Sequence, residues 1–188
     1  MRSELFRGDS FQCIINDPAN ALRAALVIKT YIRSLNTGEL YSSAGKGINA
    51  QKSRSVFYNH YVIDARMAIG IGNTERTNRK IATSHGEAFT LSGHLLDSIY
   101  KTKKTLAIIS NDQYKDELET EAILLDAILS KTSALQCSVL NLKLLSHTEE
   151  EIAQKLKVGQ SAVNQRSTGG SWNAINAMVE RFEKIYKA

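Results

Sequence analysis

The sequence is poor in the residues that staple or segment a chain, with two cysteines and one proline among 188 residues. Cys13 and Cys137 stand far apart in apolar surroundings, with no CxxC pair and no Cys/His cluster near either. That pattern points to buried free thiols and away from a disulfide framework or a zinc site. Pro18 is the only proline, so no Pro-rich linker divides the chain, and no repeat or low-complexity tract does so either. Long apolar runs are also missing. The longest, at residues 24–28 and 106–109, fall far short of the roughly 20 residues that a membrane-spanning helix needs. Arg2, Glu4 and Arg7 occupy the region where a signal peptide would carry its apolar core. These absences predict a cytoplasmic protein with no membrane partner.

What is present suits a soluble core. Apolar residues make up 43% of the chain and charged residues 23%, enough for one large domain or two small ones. The net charge of +5 permits an anionic partner without requiring one. Its distribution is uneven, because Lys46, Lys52, Arg54, Arg66, Arg76, Arg79 and Lys80 face only Asp64 and Glu75 between residues 44 and 80. A charge run is more often a solvated surface than a binding site.

Along the chain, "ELFR-GDS-FQCII" reads as two short strands around a Gly-Asp turn. Asp17 followed by Pro18 is the strongest helix start, and Leu22, Ala25, Leu26, Lys29 (through its stem), Ile32 and Leu35 then fall on one helical face. Residues 36–60 are rich in Gly, Ser and Asn without a period and read as a long polar loop. "YVIDARMAIGIGN" reads as a buried strand, "HGEAFTLSGHLLDSIYK" as a helix, "KTLAIIS" as a second buried strand and "NDQYKDELETEAILLDAILSK" as a helix. That order predicts an open sheet with helices packed on it. After Lys131 the periodicity is helical only. The pattern therefore predicts an α/β domain over 1–128 and an all-α domain over 129–188.

The all-α part carries the most specific local pattern. Thr148 followed by Glu151 forms a capping box, and the acids of "TEEEIA" suit a helix N-terminus. Ile152, Ala153, Leu156, Val158 and Val163 then fall where two short helices hold each other across a tight turn, with Ala153 allowing close approach and Val163 anchoring the second helix. This is helix-turn-helix spacing. Lys157 stands where the turn glycine is usual, at some backbone cost. The second helix offers Gln160, Ser161, Asn164, Gln165 and Arg166, and Lys157 precedes it. Amides pair in two-point fashion with adenine, Arg with guanine, and Ser with phosphate or either base. Double-stranded DNA is the partner this pattern predicts. Residues 146–188 carry six basic and five acidic side chains, so a dimer or the basic run at 44–80 has to add affinity. The bland alternative is a helical hairpin that only packs a domain.

The N-terminal motifs are individually thin. Arg7-Gly8-Asp9 is the tripeptide of adhesion proteins, but nothing else in the chain looks extracellular. Asp9 is a candidate metal ligand at a hairpin tip, and two-metal chemistry needs at least two converging carboxylates. "AIGIGNT" lacks the third glycine of a dinucleotide fingerprint, and "AGKG" lacks the flanking residues of a phosphate loop.

Taken together, "FRGDSFQCII", "DARMAIGIGN" and "HGEAFTLSGHLLD" resemble, in order and spacing, the catalytic domain of class III nucleotidyl cyclases and their GGDEF relatives. With "TEEEIA … QSAVNQR" from Thr148 to Arg166, nearly the whole chain resembles the SatD family of bacterial proteins. The resemblance implies an α+β chain: a ferredoxin-like, cyclase-type sheet with packed helices, followed by a helix-turn-helix domain. The departures bear on activity. The segment matching the first strand, with its metal Asp, is absent, which implies either a piece of a longer chain or a gap filled by a partner copy. Thr90 and His94 stand where cyclases carry Asn and Arg. The expectation is therefore a DNA-binding regulator whose cyclase-like domain dimerises or senses a nucleotide-like ligand and does not cyclise nucleotides. The alternative is a nucleotide-binding or cyclase-related enzyme with a structural helical tail.

Overall fold

A computed structural model describes residues 2–6, 10–35, 63–74 and 85–187. Asp9, the polar loop at 36–60 and most of the basic run at 44–80 lie outside the described residues. The chain is a mixed α/β protein, mostly helical, with two small sheets and seven α-helices among the described residues.

Strands β1 (Arg2–Phe6) and β2 (Ser10–Ile14) pair antiparallel, with Arg2 opposite Ile14 and Phe6 opposite Ser10. Asp17 then caps a single 3-10 turn over Pro18–Asn20, its Oδ1 accepting from the Ala19 N–H at 3.1 Å. The turn leads into α1 (Ala21–Ser34), which buries Leu22, Ala25, Leu26, Lys29, Thr30 and Arg33. The buried face is thus rotated from the predicted one toward Thr30 and Arg33, and Leu35 is exposed.

Strand β3 (Met67–Gly70), helix α2 (Glu87–Tyr100) and strand β4 (Leu106–Ile109) form a parallel β-α-β unit with Met67 opposite Leu106. The helix lies close on its strand at Gly70, where a Cβ would stand 2.5 Å from the Ala88 carbonyl oxygen. Helix α3 (Lys115–Ser130) follows. Among the described residues the hairpin and the β3–β4 pair are separate two-stranded sheets, where one open sheet was predicted. Of the predicted 13-residue strand "YVIDARMAIGIGN", the described residues form a strand only over the four residues of β3.

Four helices complete the chain: α4 (Ala134–Leu144), α5 (Glu149–Leu156), α6 (Gln160–Gly169) and α7 (Trp172–Tyr186). The main apolar cluster joins Leu22 and Leu26 of α1, Met67, Leu106 and Ile108 of the β3–β4 sheet and Leu118, Leu125 and Leu129 of α3 to Leu140, Leu144, Ile175, Val179 and Phe182. It draws on both sides of the predicted 128/129 boundary, which falls inside α3. No described helix is long and apolar enough to cross a membrane. Cys13 is a half-buried free thiol and Cys137 a buried one.

A buried ionic network crosses this core. Lys29 is fully buried, and its Nζ donates to Asp64 Oδ1 at 2.7 Å, Ala65 O at 2.8 Å and Thr105 Oγ1 at 2.9 Å. Arg33 Nη1 donates to the other Asp64 oxygen at 2.7 Å and Nη2 to Thr132 O at 3.1 Å. Thr105 passes the chain of bonds on to Asp126 through its hydroxyl and its N–H. Burial lowers the Lys29 ammonium below its usual range, and the Asp64 contact opposes that shift.

Candidate nucleic-acid interface

Helices α4, α5 and α6 build a second, small core. Val139 of α4, Ile152 and Ala153 of α5 and Val163 of α6 are buried together, with Leu142, Leu156 and Val158 closing its edges. Each contact has a local cause. The Thr148 hydroxyl accepts from the Glu151 N–H and the Glu151 carboxylate accepts from the Thr148 N–H, so α5 starts on a complete capping box. The Thr148 N–H, and then the His147 ring, hold the Glu151 carboxyl below its usual range.

The turn between α5 and α6 is made by Lys157, whose φ of 53° and ψ of 46° place it in the left-handed region. There the Lys157 N–H bonds to the Gln154 carbonyl and the Val158 N–H returns to the Ala153 carbonyl at 3.0 Å. These bonds satisfy carbonyls that end α5 and aim the chain into α6 within three residues. Gly159 starts α6 without a side-chain cap.

Val163 and Ser167 are the buried anchors of α6. At about 100° per residue, the opposite side centres on Ser161, Gln165 and Thr168, all exposed. Gln160 and Asn164 are exposed on one flank, and Arg166 is half-buried on the other. The structure thus centres the accessible face on Ser161 and Gln165, with Asn164 and Gln160 on one flank, Arg166 on the other and Lys157 exposed in the turn. Thr168 belongs to this face and was not singled out from the sequence, although its spacing from Ser161 and Gln165 would have found it.

The electrostatics of the helix pair are graded. The N-terminal end of α5 is acidic: Glu149 pairs with Lys143 at 2.7 Å, Glu151 stands 3.2 Å from His147 Nδ1, and Glu150 is exposed. Its C-terminal end carries Lys155 and Lys157. These two and Arg166 take part in none of the ion pairs among the described residues, as is true also of lysines on other elements such as Lys101, Lys115 and Lys184. Phosphate would therefore meet free cations at the turn and repulsion at the far end of α5.

Asp9 lies outside the described residues, and Thr90 and His94 are exposed on α2. At the carboxyl ends of β3 and β4, Glu87 accepts from Asn111 Nδ2 at 2.6 Å and from the Asn73 N–H at 3.3 Å, so the polar groups there satisfy one another. Comparison of the chain with known protein families, curated proteins and solved structures found no match.

Proposed function

We propose that this chain is a sequence-reading protein of double-stranded DNA, with α5, the Lys157 turn and α6 acting as a helix-turn-helix. More particularly, we propose a regulator of the SatD type, working as a homodimer, in which the α/β part dimerises or senses a nucleotide-like ligand. The observation that carries the reading is the face of α6. A ten-residue helix, held by Val163 in a three-helix core, turns outward amides and hydroxyls where a helix serving only as packing would carry paired Glu and Lys. Such side chains have both donors and acceptors and match the edges of base pairs in the major groove. The width of that groove admits one α-helix, and a short, tightly turned partner helix fixes the angle of entry.

A mixed pool of duplex DNA titrated with the purified protein at two salt concentrations tests this reading. Selective binding that weakens as salt rises supports it, because cations at the turn would displace counterions from phosphate. Absence of binding at low salt overturns it.

A further inference from the structure

We infer that α6 divides its contacts, with Gln165 reading an adenine from the centre of the exposed face and Arg166 holding a phosphate from the flank instead of reading guanine. This inference rests on the DNA-binding reading and adds roles that residue type alone assigns differently.

The geometry carries it. Adjacent residues on a helix diverge by about 100°, so Asn164 and Arg166 point to nearly opposite sides, about 160° apart. A helix seated in the major groove presents its outward centre to base edges and its flanks to the two walls of phosphate. Ser161, Gln165 and Thr168 form that centre, and all are exposed and uncharged. From Ser161 to Thr168 the helix rises about 10 Å, close to three steps of about 3.4 Å along one DNA strand. Within this span Gln165 is the only central side chain with both a donor and an acceptor placed for a two-point contact, the pattern that adenine presents through N6 and N7. Asn164 and Gln160 extend the amide set to one side.

Arg166 differs in two ways. It is half-buried on the flank of the helix, and the stem of a long cationic side chain can be covered while its guanidinium stays in water. Like Lys155 and Lys157 near the turn, and like several lysines elsewhere such as Lys101 and Lys184, it belongs to none of the ion pairs among the described residues. A free guanidinium beside a groove wall meets phosphate before it meets a base.

The test is selection of bound duplexes from a random pool, followed by equilibrium binding of the full chain and of Q165A and R166Q, with circular dichroism to confirm folding. Gln165→Ala should relax preference at one adenine position by about 5- to 100-fold. Arg166→Gln should weaken binding to all sequences alike and lower the slope of log affinity against log salt by about one. If Arg166→Gln shifts preference at a guanine and leaves the salt slope intact, the inference is overturned. It is equally overturned if Gln165→Ala leaves every base preference unchanged. Failure of the parent chain to bind any duplex would instead remove the DNA-binding reading itself, so the two failures are distinguishable.

Discussion

Lys29 and Asp64 show how much a single buried charge can determine. Asp64 neutralises both Lys29 and Arg33 through its two oxygens, each at 2.7 Å. Removing its charge leaves two cations in the core with neutral acceptors only. Asp64→Asn is therefore expected to cost about 3 kcal/mol, the lower end for breaking a buried pair because Asp64 keeps some exposure. Lys29→Met should cost less, since Arg33 still pairs with Asp64. Urea unfolding of both variants checks the order, and an Asp64→Asn loss below about 1 kcal/mol would refute the argument. A second residue-level tie is the Tyr186 hydroxyl, which donates to Asp112 Oδ2 at 2.7 Å. Burial works to raise the Asp112 carboxyl, but bonds from Tyr186, the Tyr114 N–H and Ser110 outweigh it and hold it below its usual 3.8. Burial and then the Asp112 bond push the Tyr186 phenol above its usual 10.0. The depressed acid contributes stability that is present above its unfolded value and lost as pH falls through its folded one. The raised phenol contributes stability that is present below its unfolded value and lost as pH rises through its folded one. Tyr186→Phe should thus lose about 0.5–1 kcal/mol at neutral pH, with a deficit that fades in acid and in strong alkali. Thermal unfolding across pH measures it, and a deficit that persists unchanged at pH 2 would contradict it. Lys29 could be placed on the inner face of α1 from spacing alone, but its partners lie 35 and 76 residues away and leave no local trace.

At the scale of elements, local chemistry accounts for the α5–α6 pair. Thr148, Glu151, Ala153 and Val163 act within one or two turns of each other, so their roles were legible in the sequence, as was the left-handed duty of Lys157. That duty is costly for a residue with a Cβ. Lys157→Gly should stabilise the fold by about 0.5–1 kcal/mol and, on the proposed reading, weaken DNA binding through loss of a free cation. Opposite signs in chemical denaturation and in DNA titration would support both roles, and equal signs would separate the turn from the binding face. Thr148→Ala removes one arm of the capping box and should cost about 1 kcal/mol. The Asp17 cap and the β1–β2 hairpin were legible for the same local reason. The sheet was not. Strand pairing is set by contacts between distant segments, and the residues with the strongest alternation pair only over 67–70. The face of α6 was legible in its amides and in its anchor Val163, which fixes the rotation, but Arg166 was grouped with the amides although it falls on the opposite flank from Asn164.

At the scale of the whole molecule, the change from α/β to all-α periodicity near Lys131 does not divide the packing. Helices α1 and α4 lie against each other, and Asn141 Nδ2 donates across that contact to Val27 O at 2.7 Å and to Thr30 Oγ1 at 3.2 Å. Arg23 of α1 reaches Glu183 of α7 at 2.6 Å and the Leu144 carbonyl at 3.2 Å, and Arg181 of α7 grips Glu117 of α3 through two bonds. Leu140, Leu144, Ile175, Val179 and Phe182 spend their apolar surface on Leu22, Leu26 and Leu118, not on one another alone. A piece spanning 129–188 would turn those five side chains to water and lose most of their burial, each worth roughly 1.5–3 kcal/mol. The small core around Val139, Ile152 and Val163 is too slight to replace it. The full chain should therefore unfold in a single transition, with helix content followed by circular dichroism and the fluorescence of Trp172 changing together in urea. The isolated piece should show little stable helix. Two separated transitions, or a piece that unfolds cooperatively by itself, would mean that α5 and α6 belong to an independent unit held by the small core around Val139, Ile152 and Val163.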